Sequence, residues 1–80
     1  MKKGMKRWYV ETTCYDYDYE PTYVDFVIYA KNEKAAYWKA YWKCGEGFYY
    51  GGLLNRIYRF EIRGDKESAV YIDLKRYEPL

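Results

Sequence analysis

From Arg7 to Tyr15 the chain alternates with a period of two, Trp8, Val10, Thr12 and Cys14 on one side and Tyr9, Glu11, Thr13 and Tyr15 on the other. That spacing in aromatic and β-branched residue types predicts a strand. Tyr15 to Thr22 breaks the pattern, with Asp16, Asp18 and Glu20 set among Tyr17 and Tyr19 ahead of Pro21, which marks a loop or a sheet edge. A second strand is expected over Tyr23 to Ala30, with Val24, Phe26, Ile28 and Ala30 on one face and Tyr23, Asp25, Val27 and Tyr29 on the other. Asn32 is a good N-cap, Glu33 and the alanines after it favour helix, and Gly45 is placed to end one, so a helix is predicted over Glu33 to Cys44. At 100° per residue, Ala36, Tyr37, Ala40, Tyr41 and Cys44 gather on its packed side, whereas Trp38 and Trp42 fall on a flank beside Lys39 and Lys43 and should be partly open to solvent.

A glycine-rich loop over Gly45 to Leu54 leads to two more strands. Asn55 to Arg63 places Tyr58, Phe60 and Ile62 on one face, and Ile57, Arg59, Glu61 and Arg63 on the other. Gly64, Asp65 and Lys66 read as a hairpin turn. Ala69 to Tyr77 completes the hairpin, with Val70, Ile72 and Leu74 pointing one way and Tyr71, Asp73, Lys75 and Tyr77 the other. The expected fold is a single α+β domain of order ββαββ over residues 7–80, preceded by a flexible basic arm over 1–6. One helix covers one face of a four-stranded sheet, and the second face is left to water or a partner. Trp8, Val10, Val24, Phe26, Ile28, Tyr58, Phe60, Ile62, Val70, Ile72 and Leu74 should form the core against Ala36 and Ala40. In element order and size, Arg7 to Tyr77 resembles the small β-grasp arrangement of immunoglobulin-binding bacterial domains. That resemblance implies a helix crossing a mixed sheet and carries no function with it.

Composition sharpens the picture at one point. Of 80 residues, 13 are tyrosine, 3 tryptophan and 3 phenylalanine, more aromatic surface than a domain of this size can bury. Some rings must face outward, which points to a binding surface. The net charge of +2 provides no global field to draw the chain to nucleic acid or to a membrane surface. No apolar run is long enough to span a membrane and no signal-peptide stretch follows the basic start, so a cytoplasmic protein is expected, with Cys14 and Cys44 as buried free thiols.

Catalytic chemistry is sparse. There is no histidine, and Ser68 is the one serine. The cysteines lack zinc-ligand spacing, and the glycines of the loop match neither a P-loop nor a dinucleotide fingerprint. Arg59, Arg63, Tyr71 and Lys75 could share a face as the working residues of small toxin nucleases do, but those toxins place helices ahead of the sheet, and no base with a raised pKa stands out. No enzyme activity, cofactor or metal is expected.

Two binding surfaces remain. Tyr15, Asp16, Tyr17, Asp18, Tyr19, Glu20, Tyr23 and Asp25 combine carboxylates with rigid aromatic anchors, which suits a basic, groove-bearing protein such as a nuclease or other nucleic-acid-binding protein. The alternative is a single-stranded nucleic-acid site on the uncovered sheet face, built from Tyr9, Tyr29, Arg59, Arg63, Tyr71, Lys75 and Tyr77. Glu11, Asp25, Glu61 and Asp73, expected on that same face, would repel phosphate. A homodimer through the exposed tyrosines is a third use of such a surface. In its size, its lack of histidine and of any motif, and its acidic tyrosine segment Tyr15 to Asp25, the chain resembles small phage-encoded inhibitors of host defence, anti-CRISPR proteins among them. That resemblance implies a non-enzymatic inhibitor that occludes a target's nucleic-acid or partner site. The positive net charge departs from the strongly acidic members that mimic DNA across their whole surface.

Overall fold

The structure, a computed structural model, describes residues 4–15, 20–46 and 52–77. β1 (Lys6–Tyr15) and β2 (Pro21–Ala30) are followed by α1 (Glu33–Glu46), β3 (Gly52–Arg63), β4 (Lys66–Tyr71) and a short 3-10 turn (Leu74–Arg76). The four strands form one sheet of order β2-β1-β3-β4 in which every neighbouring pair is antiparallel. Since β2 and β3 both run against β1, they point the same way with β1 between them, and α1 makes the crossover that joins them. The mixed sheet implied by the β-grasp resemblance is therefore corrected. β2 and β3 occupy both edges of β1, and β4 is held on the outer side of β3 by the hairpin turn at Gly64 and Asp65. Gly64 has φ +65, the left-handed conformation such a tight turn needs.

Local chemistry explains the first three elements. In β1, Trp8, Val10 and Thr12 turn to the helix side and are buried. The one indole N–H of Trp8 donates to the Ala30 carbonyl at 3.1 Å, and the Thr12 hydroxyl donates to the Val24 carbonyl at 2.7 Å, so neither polar group is stranded in the core. Asn32 caps α1, its Oδ1 accepting the Ala35 N–H at 2.9 Å. The helix continues through Gly45 to Glu46, beyond the expected end. Ala36 and Ala40 are fully buried, which lets the helix axis approach the sheet closely. The described residues contain no helix long and apolar enough to cross a membrane.

The largest departure from the sequence pattern lies in β3. Thr12 pairs with Leu54 and Glu11 with Arg56, so Asn55 is an extra residue, a β-bulge, and its Nδ2 donates to the Thr13 hydroxyl at 2.6 Å. Leu54 is on the helix side. Unbroken alternation from it would bury Tyr58, Phe60 and Ile62, but the bulge reverses the phase, so Ile57 is buried at 0% exposure while Phe60 is 47% and Ile62 71% exposed. Phe60, Ile62 and the half-buried Tyr58 thus leave the expected core for the open face, and Ile57 enters it.

Two further positions differ. β4 stops at Tyr71 instead of running to Tyr77, because Asp73 starts the 3-10 turn by accepting the Lys75 N–H at 3.2 Å. That turn folds Tyr77 under the helix, where its ring stacks on Tyr37 at 4.9 Å between centroids. Tyr37 is therefore buried, whereas Tyr41, one turn on and beyond the reach of Tyr77, is exposed instead of packed as expected. Trp38 and Trp42 are exposed on the helix flank as the spacing implied.

Both thiols are free, Cys44 buried and Cys14 half-buried. Burial, and secondarily the Cys14 thiol, raise the Cys44 pKa above its ordinary value. Since the folded state holds the proton more tightly than the unfolded chain, the associated stability is present below the unfolded pKa and is lost as pH rises through the folded one. The urea midpoint should fall on the alkaline side of the thiol range, and the fall should be shallower in Cys44→Ala; an equal slope in the two proteins would show that Cys44 plays no part in it. In the folded protein at pH 8, alkylation read by peptide mass spectrometry should reach Cys14 well before Cys44.

Candidate functional site: the open face of the sheet

The face of the sheet away from α1 carries the odd residues of β1 and β2, the even residues of β3 from Arg56 onward, and Glu67, Ala69 and Tyr71 of β4. Its centre is a set of rings brought together by the register. Tyr9 on β1 lies opposite Tyr58 on β3, and Tyr58 opposite Tyr71 on β4. Tyr9 and Tyr58 stack at 5.5 Å between centroids with planes 21° apart, Phe60 meets both edge-on at 5.4 and 5.7 Å, and Tyr71 leans on Tyr58 at 5.3 Å. Such cross-strand pairs hold the rings in place before any ligand arrives, lowering the entropy cost of binding. Two aliphatic side chains, Leu53 and Ile62, are exposed in the same sheet.

The charges on this face nearly balance. The Arg7 guanidinium sits over the Tyr9 ring at 5.3 Å. Glu11 and Arg56, directly opposite each other, form an ion pair in the middle of the face. Asp25 on β2 lies beside Glu11. Desolvation, followed by the Glu11 carboxylate, raises the Tyr58 pKa above the ordinary tyrosine value.

Of the proposed nucleic-acid residues, Tyr9, Tyr29 and Tyr71 share the open face. Arg59 and Arg63 do not, because the bulge turns them to the helix side; Lys75 and Tyr77 lie in and after the 3-10 turn. The same phase change removes Glu61 from the open face, and Asp73 caps the 3-10 turn instead of lying in a strand. Of the acidic tyrosine segment, Asp16, Tyr17, Asp18 and Tyr19 lie outside the described residues. Glu20, Tyr23 and Asp25 are exposed and Tyr15 is half-buried, with Tyr23 and Asp25 on the open face. These two therefore adjoin the aromatic centre through Glu11 and Arg56, joining surfaces that the sequence treated as separate.

Tyr58, Phe60, Leu53, Arg56 and Arg7 were missed as site residues. A signal was available in Leu54-Asn55-Arg56-Ile57: alternation that keeps Leu54 inside puts Arg56 inside too, and an extra residue at Asn55 resolves that conflict.

A second exposed aromatic group lies on α1, where Tyr41 packs edge-on between Trp38 at 5.6 Å and Trp42 at 5.7 Å. The exposed Lys39 and Lys43 flank it, with no carboxylate partner among the described ion pairs. Among the described residues no group of three His, Cys, Asp or Glu side chains could hold a metal ion. Compared with protein-family models, with curated proteins and with solved structures, the chain matches none of them.

Proposed function

We propose that this chain is a non-enzymatic protein-binding module, and in its most concrete form a small inhibitor that occludes a nucleic-acid-handling enzyme. The observation that carries this is the open sheet face, where Tyr9, Tyr58, Phe60 and Tyr71 form a pre-packed aromatic centre beside exposed Leu53 and Ile62. Protein interfaces favour aromatic residues and arginine at their centre and disfavour lysine, and the cations nearest these rings are Arg7 and Arg56. Aliphatic side chains add area against a protein and nothing to base stacking. Tyr23 and Asp25 belong in sequence to the acidic tyrosine stretch Tyr15 to Asp25, whose composition suits a basic groove and supports a nucleic-acid-handling target.

One observation favours the second function, a single-stranded nucleic-acid binder. The bulge brings Tyr58 and Phe60 beside Tyr9 on the two central strands while taking Glu61 away, leaving a ring platform on which bases could stack. Against it, Glu11 occupies Arg56 and Asp25 is exposed nearby, so Arg7 is the one cation beside the rings without a carboxylate partner among the described ion pairs.

The two functions separate in a capture experiment on wild-type protein with and without nuclease. We expect a captured protein to survive nuclease treatment, to be lost with Tyr58→Ala and to be kept with Trp42→Ala. We also expect negligible single-strand binding at physiological salt. Submicromolar binding to an oligonucleotide, with affinity falling steeply as salt rises, would make the nucleic-acid function the better one.

A further inference from the structure

We propose that the parting of β1 and β3 is a docking slot for an extended segment of a partner protein in which carboxylate and apolar side chains alternate. The slot belongs to the protein-binding function proposed above and narrows it. β1 and β3 pair from Cys14 opposite Gly52 to Tyr9 opposite Tyr58, interrupted only by the bulge at Asn55, and there the pairing ends. Beyond that point Lys6 and Arg7 pair with β2 alone, and Phe60 to Arg63 pair with β4 alone. The cleft between them has a volume of about 390 Å³. Two facing strand edges without ladder partners present backbone donors and acceptors that an added strand can satisfy.

The two sides of the cleft differ in chemistry. Lys6 and Arg59 lie on the helix side, with Glu61 as the one carboxylate in the lining, whereas Phe60 and Ile62 lie on the open side with Tyr9 and the Arg7 that sits over its ring. Arg59 is the selective group. Its guanidinium is held over the Trp8 ring at 5.5 Å, and its Nε is buried without a hydrogen-bond acceptor. The nearest paired carboxylate oxygen, on Glu61, stands 3.9 Å from Nη1, at the outer limit of an ion pair. A buried N–H left unpaired is costly, and a carboxylate entering beside Lys6 supplies the acceptor it lacks. Side chains of an inserted strand point to alternate faces, so those turned toward Lys6 and Arg59 must be acidic and those between them, turned toward Phe60 and Ile62, apolar. A polypeptide strand can meet both demands at that period; a sugar-phosphate chain offers no apolar side chains in between.

The test uses three fluorescent probes with the full chain: a short peptide alternating Glu and Val, a peptide of the same composition with the Glu and Val in separate blocks, and an oligothymidylate. We expect the alternating peptide to bind best, with the block peptide at least about tenfold weaker. Arg59→Gln should weaken the alternating peptide by about tenfold or more, the range for losing a charge-assisted hydrogen bond. Because Arg59 also packs on Trp8, the exposed pair Lys6→Glu with Arg7→Glu provides a second variant, expected to weaken binding similarly without lowering the melting temperature. Equal binding of the block peptide, tighter binding of the oligothymidylate, or unchanged affinity in both variants would overturn the slot. So would self-association of the free protein that Arg59→Gln abolishes, since the occupant would then be a second copy. If no peptide binds while nuclease-resistant capture through Tyr58 persists, the slot fails and the protein-binding function stands. Loss of capture on nuclease treatment removes both.

Discussion

Ile57→Ala should destabilise the protein by about 3 to 4 kcal/mol, and Phe60→Ala by clearly less, although a periodic reading of the strand ranks them the other way. The cost of truncating a buried aliphatic side chain combines lost transfer energy with the cavity left behind, about 2 to 5 kcal/mol when the site is closed on all sides. Ile57 is fully buried among Trp8, Val10, Ala36, Ala40 and Ile72, with the helix above and β1 and β4 on either side, so little can collapse into the gap. Phe60 is about half exposed on the other face, and its loss removes edge contacts with Tyr9 and Tyr58. Urea denaturation of the two variants decides it: if Phe60→Ala costs as much as Ile57→Ala, the phase of β3 assigned here is wrong. Deleting Asn55 provides an independent check. Without it, Leu54 to Ile57 would pair with Thr12 to Val10 as a regular ladder and every side chain would keep its face. The deletion should therefore cost only about 1 kcal/mol, near the value of the hydrogen bond from Asn55 to Thr13.

The rest of the fold shows why that one strand misled. β1, β2 and the start of α1 were legible because each rests on a local rule: alternation in Trp8 to Cys14 and in Val24 to Ala30, and the Asn32 cap. β3 was not, because a bulge adds one residue without changing composition, and past it the strand offers two phases: Ile57 alone on one side, Tyr58, Phe60 and Ile62 on the other. Counting apolar residues favours the second phase. The structure takes the first, since Ile57 fits beneath the alanines of the helix while Arg56, two positions on from Leu54, would otherwise be driven inside opposite them. The end of β4 was illegible for a different reason. Asp73 suits a strand edge and a 3-10 cap alike, and the choice depends on Tyr77 finding Tyr37, a contact between residues 40 positions apart. Candidate site residues followed the strands. Tyr9, Tyr29 and Tyr71 were found because their strands were in the right phase, and Tyr58 and Phe60 were missed with theirs.

Truncating the aromatic centre should cost more in partner affinity than any other change on the surface. Tyr58→Ala is expected to weaken a captured protein partner by at least about 2 kcal/mol, roughly thirtyfold, chiefly by faster dissociation. Tyr58 touches Tyr9, Phe60 and Tyr71, so its loss both removes contact area and frees three neighbours that were held in place before binding. Because the ring lies outside the core cluster, the variant should stay folded, and its urea midpoint checks that directly. Reversing Asp25 to lysine on the same face should act differently, slowing association and steepening with lower salt, because an exposed charge at the rim guides encounter more than it holds the complex. Trp42→Ala, on the far side of the helix, should change neither rate. Surface plasmon resonance on these three variants separates the surfaces: an intact dissociation rate in Tyr58→Ala together with a lost complex in Trp42→Ala would move the binding site from the sheet to the helix flank.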